Sequence, residues 1–286
     1  MRIKSPARLI VCLVTIFIVL WMCYNFVIAL CTGQKFSILG NPIGSGITNL
    51  VVAGVDEDGY RTDLILLCQF NRRDNKLSVL QIPRDTKVQN RRTDKKINSA
   101  YYSGFDTLSD EIQQVTGIQA DRYVMVSFSA FRDIVDAVGG VIMDVPIRMA
   151  YEDPTQDLVI DLKPGRQRLH GEEAEMYMRY RSSYSQGDIG RLGAQQELYE
   201  AISKKMFSPI GVLRMPSVFF AVSKHTDTNL KKGKILSLMR DALVIGRENV
   251  EILTLPGEGK YVGGGSYFVP YKNQTADLIE EHFVLN

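Results

Sequence analysis

Charged residues flank an apolar hairpin in the segment YRTDLILLCQFNRRDNKLSVLQIPRDT, residues 60–86. The segment reads as two strands joined by a polar turn, and pairing about the centre of that turn places Phe70 opposite Leu77. The same register places Asp63 opposite Arg84. Carboxylates can hold a divalent cation and arginines can neutralise phosphate oxygens, so the open end of the hairpin is a candidate phosphate–metal site. A salt bridge on a solvated sheet edge is the simpler alternative.

A second group of arginines lies in MRYRSSYSQGDIGR, residues 178–191. Arg179 and Arg181 stand two apart, so an extended segment points both the same way. Asp188 and Arg191 are three apart, so a helix places them on one face, and the free N–H groups of its first turn suit an anionic oxygen. Arginine forks bind phosphate at two points, which one lysine cannot do. The alternative is that these arginines pair with nearby acids, namely Glu172, Glu173 or Asp188.

The two groups together combine an excess of arginine with a few carboxylates, which is the composition that a pyrophosphate–metal complex requires. Other catalytic arrangements are missing, since the sequence has no H-E-x-x-H, no G-x-S-x-G and no P-loop. The three histidines are not spaced to share a metal ion. Phosphate chemistry based on arginine is therefore the interpretation that the residues favour.

The N-terminus carries the pattern of a membrane anchor. Arg2, Lys4 and Arg8 precede an uncharged run from Leu9 to Cys31, which as a helix would rise roughly 34 Å and span a bilayer core. The positive charges favour an inside N-terminus. A cleaved signal peptide is the alternative, although its apolar region is usually shorter. We predict a cytoplasmic N-terminus at 1–8, a transmembrane helix at 9–31, a linker at 32–48 and an extracytoplasmic domain at 49–286.

Composition fits a folded extracytoplasmic domain. The chain has 286 residues, 45% of them hydrophobic, and a formal net charge of +2. Without the three basic N-terminal residues the remainder is nearly neutral, which argues against bulk binding of nucleic acid. Cys68 is the one cysteine beyond the predicted anchor, so it cannot form an intrachain bridge there and is expected to be a buried apolar side chain.

Strand and helix patterns alternate through the outer region, and several strands are continuous apolar runs, as expected when both faces of a sheet are covered. The predicted fold class is α/β, a single domain with a central mixed β-sheet flanked by helices. One predicted helix stops at Gly117, a second has Ser129 as its N-cap, and a third is capped by Asp188.

Six segments, in this order, resemble the LytR–CpsA–Psr (LCP) family, and they cover about residues 49–206. The segments are VVAGVDEDGYRTDLILL, LSVLQIPRDTKV, KINSAYYSG, IVDAVGGVIMDVP, LKPGRQRLHGEEAEMYMRYR and GDIGRLGAQQ. Members of this family are membrane-anchored, extracytoplasmic phosphotransferases, found mostly in Gram-positive bacteria. They move a glycopolymer from a polyprenyl-pyrophosphate carrier onto peptidoglycan.

The resemblance implies Mg²⁺ (or Mn²⁺) near Asp56 and Asp63. These two residues end one strand and begin the next, so both carboxylates could reach one ion if the strands pair about 4.8 Å apart. We expect little metal without the pyrophosphate lipid, and the alternative is that both Asp pair with Arg61 or Arg84. The resemblance also implies pyrophosphate contacts, with Asp188 fixing the arginines; the contact residues are Arg61, Arg84, Arg179, Arg181 and Arg191.

An apolar pocket for the prenyl chain is implied between sheet and helices. The candidate lining residues are Leu64, Leu66, Val124, Val126, Phe131 and Val135. We expect at least half of them to pack in a solid core instead. The sequence departs from the family at two points. The loop after Asp56 is short, and Ala194 stands where many members have a further arginine, whose contact Arg166 or Lys96 could replace.

The expected function is transfer of an anionic or secondary cell-wall glycopolymer, such as teichoic acid or capsule, onto a peptidoglycan hydroxyl. Asp188 and Asp85 are the candidates for a general base. No protein partner or nucleic acid is predicted. Two alternatives remain at this stage: a protein that binds or hydrolyses polyprenyl-pyrophosphate lipids, and a membrane-bound transcriptional attenuator, a role assigned to some members of the family.

Overall fold

The computed structural model describes residues 46–55, 61–153, 158–180 and 188–285, with the backbone alone at 188–192 and 225. The predicted anchor and most of the predicted linker lie outside these ranges, as do Asp56 and Arg181. Among the described helices, none combines the length and apolar character that crossing a bilayer requires.

The strands of the described ranges are β1 (Ile47–Val55), β2 (Thr62–Asn71), β3 (Lys76–Gln81), β4 (Arg122–Val126), β5 (Val141–Val145), β6 (Met149–Asp153), β7 (Leu158–Leu162), β8 (Gly165–Leu169), β9 (Thr226–Thr228), β10 (Val250–Thr254), β11 (Gly257–Val262) and β12 (Gly265–Pro270). The helices are α1 (Phe105–Thr116), α2 (Phe128–Val138), α3 (Gly171–Arg179), α4 (Asp188–Met206), α5 (Pro209–Leu213), α6 (Met215–His225), α7 (Lys232–Ile245) and α8 (Lys272–His282). Short 3₁₀ helices lie at Ile97–Ser103 and Arg247–Asn249.

The central sheet has six strands in the order β10-β3-β2-β1-β4-β9. It is mixed, because β1 runs parallel to β4 and β10 parallel to β3, while the pairs β1–β2, β2–β3 and β4–β9 are antiparallel. Helices cover both faces. This arrangement confirms the predicted α/β class and the mixed sheet.

The β2–β3 hairpin has the predicted register. Phe70 pairs with Leu77, and the ladder extends from Asn71–Lys76 to Leu66–Gln81. Beyond it, the backbone N–H of Ile82 donates to the carbonyl of Ile65 at 2.9 Å. Continuing this pairing brings Asp63 and Arg84 side by side at the open end.

The predicted helix end at Gly117 is confirmed, whereas the predicted start of α2 is wrong. Helix α1 ends before Gly117, whose φ of 77° is the left-handed conformation that favours glycine. Helix α2 begins two residues earlier than a cap at Ser129 would allow, so the assignment of Ser129 as N-cap was wrong. Ser127 is the cap, because its backbone is extended and its hydroxyl accepts from the N–H of Ala130 at 3.2 Å.

Several short strands had no clear signal in the sequence. Strand β8 reads GRQRL, which lacks the apolar alternation of a half-buried strand, yet it pairs with β5 along its full length. Strand β9 spans three residues only. Pairing with a neighbour, rather than local pattern, decides these elements.

Alternating side chains of the sheet enter two apolar layers. On one face Val51, Ala53 and Ile65 pack with α1 and α8. On the other face Leu50 and Cys68 pack with α7. Cys68 is buried as predicted, and burial raises its pKa to about 12. A third cluster joins α2, α3 and α4 to the two-stranded sheets β5–β8 and β6–β7.

Candidate functional site

The open end of the β2–β3 hairpin carries an alternating row of charges. Arg84 Nη1 donates to Asp63 Oδ1, and Arg84 Nε lies 3.8 Å from Asp85 Oδ2. Lys96 Nζ follows, at 2.8 Å from the other oxygen of Asp85. All four side chains are between 22% and 30% exposed, so they can still meet a ligand from solution. The salt bridge foreseen as the simple alternative therefore exists, and it lies at the edge of a cavity.

Arg179, in the last turn of α3, lines the same cavity as Asp63 and Arg84. Its Nη1 lies 3.0 Å from Glu175 Oε1, and its guanidinium carbon lies 4.6 Å from the centre of the Phe128 ring. The other oxygen of Glu175 accepts from Arg132 Nη1 at 2.8 Å. Glu175 is only 6% exposed, so one buried carboxylate holds two arginines. Such a buried charge is tolerated because it is fully paired.

A cavity of about 190 Å³ lies between the sheet and the helices α2, α3 and α4. Asp63, Arg84 and Arg179 are its charged lining residues, and the rest is almost wholly apolar. Gly54 forms part of its floor, where a Cβ atom would lie 3.1 Å from that of Leu64. The apolar and uncharged polar lining comprises Val52, Gly54, Leu64, Leu66, Val126, Ser127, Phe128, Phe131, Ile134, Met178, Gln195, Tyr199 and Ile202.

Four of the six residues predicted for the prenyl pocket line this cavity: Leu64, Leu66, Val126 and Phe131. The other two, Val124 and Val135, are buried in the core clusters instead. Val124 shares a face of β4 with Val126, and Val135 shares a face of α2 with Phe131, so the apolar pattern alone could not separate lining from core.

The structure brings together Asp63, Arg84 and Arg179, whereas Arg61 is exposed just before β2 and does not line the cavity. Asp188 and Arg191 lie in the first turn of α4, as predicted, but their side chains are outside the described part, as are Asp56 and Arg181 altogether.

The residues proposed around Ala194 also have definite places. Ala194 itself packs against the third apolar cluster, and Arg166 lies on β8 opposite Asp144. Lys96 is the nearer substitute for a missing cation, because its ion pair with Asp85 joins it to the row that includes Arg84.

Sequence reasoning missed three functional candidates. We did not predict Glu175 as a partner of any arginine. It lies four residues before Arg179 on a helix, however, and this spacing favours an ion pair. Gln195 and Tyr199 line the cavity from α4 with the same spacing. Gln195 also accepts from Gln81 Nε2 at 3.2 Å, which joins α4 to β3.

The carboxylates at the cavity edge suit a hard cation. Asp63 and Asp85 both lie against Arg84 and offer oxygen donors, which Mg²⁺ prefers when phosphate oxygens and water complete its shell. Within the described ranges no group of three His, Cys, Asp or Glu side chains forms a metal cage. Two carboxylates fit an ion whose remaining ligands are phosphate oxygens and water.

Comparison with known proteins identifies one family. The model of the LytR_cpsA_psr family matches residues 34–283. Polyisoprenyl-teichoic acid–peptidoglycan teichoic acid transferase TagV of Bacillus subtilis is 29% identical over 218 residues, which is 73% of this chain and 56% of TagV. The crystal structure of TagV superimposes with a TM-score of 0.69 at 25% identity, over 85% of this chain and 100% of the crystallised chain.

Two further relatives carry different names. Polyisoprenyl-teichoic acid–peptidoglycan teichoic acid transferase TagU of Bacillus anthracis is 30% identical over 249 residues, covering 83% of this chain and 79% of TagU. Biofilm regulatory protein A of Streptococcus mutans is 30% identical over 223 residues, covering 72% of this chain and 53% of that protein. The chain thus spans about half the length of TagV and of Biofilm regulatory protein A, and most of TagU.

Proposed function

Because this chain belongs to the LytR–CpsA–Psr family, we propose that it is a phosphotransferase that moves a cell-wall glycopolymer from a polyprenyl-pyrophosphate carrier onto a hydroxyl of peptidoglycan. Relatives named as teichoic acid transferases support this class of reaction. The class of glycopolymer and the roles of the individual residues are proposed below.

The observation that supports it best is an apolar cavity whose lining includes three charged side chains. A polyprenyl chain leaving the membrane needs a dry groove, because each exposed CH₂ costs roughly 0.8 kcal/mol. The charged head of the same lipid needs cations at the mouth of that groove. Asp63, Arg84 and Arg179 are the charged members of a lining that is otherwise apolar or uncharged, which fits a prenyl pyrophosphate better than a purely structural salt bridge.

In the proposed reaction, a hydroxyl oxygen of peptidoglycan attacks the phosphorus next to the sugar. A new P–O bond forms, the bond from that phosphorus to the bridging oxygen breaks, and polyprenyl phosphate leaves with the electron pair. The hydroxyl proton passes to a base, for which Asp85 and Asp188 are the candidates. Arg84 and Arg179 neutralise the charge that spreads over the phosphoryl oxygens, together with Arg61, Arg181 and Arg191.

We assign a divalent cation, Mg²⁺ or Mn²⁺, to Asp56 and Asp63. When bound, it would neutralise phosphate oxygens and orient the pyrophosphate. Asp63 is held by Arg84 before the substrate arrives. We therefore expect the phosphate to take over the arginine, which leaves the carboxylate for the cation.

The experiment that tests the function is product analysis. Full-length protein in lipid discs is mixed with Mg²⁺, a polyprenyl-pyrophosphate glycan and purified peptidoglycan. We expect a phosphodiester between glycan and peptidoglycan, lost on chelation and in Asp63→Ala. Free glycan phosphate as the sole product would favour the alternative, a hydrolase of pyrophosphate lipids, and no reaction at all would overturn both.

Membrane anchoring at 9–31, with the catalytic domain outside the cell, belongs to the same proposal because both substrates lie there. Protease added to cells with an opened wall is expected to remove the domain, while a cytosolic marker stays intact. Complete protection of the domain would contradict this topology. It would also support the alternative of a transcriptional regulator, which agrees with the name of Biofilm regulatory protein A.

The buried carboxylate of Glu175 gives a prediction about positioning. Glu175→Gln keeps the shape but replaces a charged acceptor by an amide, so Arg179 and Arg132 are held less firmly. We expect turnover to fall about tenfold with little change in the KM for the lipid. Glu172→Gln, at an exposed acid of the same helix, is the matched control and should behave like the wild type. A KM effect alone, or equal losses in both variants, would contradict this role.

A further inference from the structure

A second charged surface lies on the far side of Lys96 from Arg84. A shallow groove of about 660 Å³ runs between the loop 87–95 and the tip of the β11–β12 hairpin. We call it the basic groove; its lining residues are Lys87, Val88, Gln89, Asn90, Arg91, Lys95, Val262, Gly263 and Tyr267. Three of these side chains are cationic, and none is acidic.

The basic groove is connected to the proposed pyrophosphate site by direct contacts. Lys96, the last member of the charge row at Arg84, lies with its Nζ 5.9 Å from the centre of the Tyr267 ring. Lys87 approaches the same ring at 5.5 Å. Tyr267 therefore stands between the two, and a ligand leaving the pyrophosphate on this side meets cations and an aromatic face.

The walls of the groove are fixed by main-chain hydrogen bonds. The N–H of Phe268 donates to the carbonyl of Asp85 at 2.9 Å, and the N–H of Lys87 donates to the carbonyl of Phe268 at 2.8 Å. Across the loop, the N–H of Val88 donates to the carbonyl of Lys95 at 2.9 Å. Any movement of the hairpin would therefore also disturb the segment that carries Arg84.

Neighbouring cations differ in how far they are already engaged. Arg92 is held by Glu111 at 2.6 Å, Lys96 by Asp85, and Lys95 by the carbonyl of Asn90 at 2.6 Å. Lys87 and Arg91 are exposed, and no ion pair to either is found within the described ranges. Two uncompensated cations in one groove remain available to an anion from solution.

We propose that the basic groove binds the anionic repeat of the glycopolymer itself, through phosphodiester groups along its chain, while the pyrophosphate is held at Arg84. This inference rests on the proposed function and specifies its substrate as a polyanion. A neutral glycan would gain little from Lys87 and Arg91, whereas repeated phosphates can pair with both and sugar rings can stack on Tyr267. The peptidoglycan glycan strand is the competing occupant, and its uncharged backbone suits these cations less well.

The test compares two double variants that remove the same charge. Lys87→Gln with Arg91→Gln alters the groove, and Lys231→Gln with Lys232→Gln alters exposed lysines that do not line it. The probe is a fluorescent oligo(glycerol phosphate), titrated into the full-length protein in uncharged lipid discs and followed by anisotropy. We expect roughly tenfold weaker binding and a shallower salt dependence in the groove variant only. Equal losses in both variants, or none, would overturn the proposal.

Two further measurements identify which polymer the basic groove binds and separate this proposal from the proposed function. Dextran of matched length should not compete with the probe, and peptidoglycan fragments should compete worse than unlabelled oligo(glycerol phosphate). If peptidoglycan competes better, the groove belongs to the acceptor and the proposal is wrong. With a carrier that bears one neutral disaccharide, the groove variant should transfer at the wild-type rate, and a loss there would also contradict the proposal. A wild-type protein without transferase activity would refute the proposed function. The anisotropy titration would still show whether the basic groove binds the polyanion.

Discussion

Replacing Arg84 by alanine is expected to reduce glycan transfer at least 100-fold while the domain remains folded. The guanidinium lies at the junction of the cavity and the row of charges, where it contacts Asp63 directly and Asp85 at 3.8 Å. A charge-assisted contact to a phosphoryl oxygen in the transition state is worth a few kcal/mol, and each 1.36 kcal/mol is tenfold in rate. The measurement is kcat/KM for transfer from a polyprenyl-pyrophosphate glycan.

Arg84→Lys should recover little of this activity, because an ammonium cannot form the two-point contact of a guanidinium. Thermal unfolding provides the control for folding. The site is partly exposed, so removing one ion pair there should change stability by at most about 1 kcal/mol. Near-normal transfer by Arg84→Ala would mean that the arginine serves only as a partner for Asp63, and the proposed pyrophosphate site would be wrong.

Filling the cavity is expected to have a second large effect, and one that depends on the length of the lipid. Val126 is half-buried at the end of β4 and lines the cavity, so Val126→Phe adds a phenyl ring to the space proposed for the prenyl chain. Excluding one isoprene unit would expose several methylene groups at roughly 0.8 kcal/mol each. We expect about 100-fold poorer kcat/KM with a long-chain carrier and a smaller loss with a short one.

The matched control is Val159→Phe, the same change at a valine that is 58% exposed on β7 and away from the cavity. It should transfer as the wild type does with both carriers. If Val126→Phe impairs short and long carriers equally, the added ring acts through general disturbance of the fold. The assignment of the cavity to the lipid would then fail.

Part of this site was predictable from the sequence because it rests on local regularities. The β2–β3 hairpin has apolar runs of matched length around a polar turn, so its register could be counted, and Asp63 and Arg84 meet as that count requires. The start of α4 at Asp188 likewise follows from a local helical pattern.

The rest depends on contacts between segments far apart in the chain. The cavity exists because α2, α3 and α4 stack above β1, β2 and β4, which no pattern within one segment specifies. The basic groove joins Lys87 to Tyr267 through the pairing of Thr86 with Phe268. The role of Glu175 was missed for a different reason: its spacing from Arg179 was visible, but its bond to Arg132 required the packing of α2 on α3.

The antiparallel hairpin also restricts how the gene for this protein can change length. Asp63 and Arg84 face each other because equal numbers of residues separate them from the turn. The lengths of the two strands therefore determine whether the two side chains meet. Deleting one codon within β3 would move Arg84 to the opposite face of the sheet and exchange the apolar side chains beyond the deletion between the two buried layers. Matched deletions, one from each strand, would keep the two residues together, and insertions at the Arg72–Asn75 turn would leave the ladder in place. Length variation is therefore tolerated best after Arg72, whose guanidinium pairs with the buried Asp241 at 2.7 Å, and is harmful in either strand.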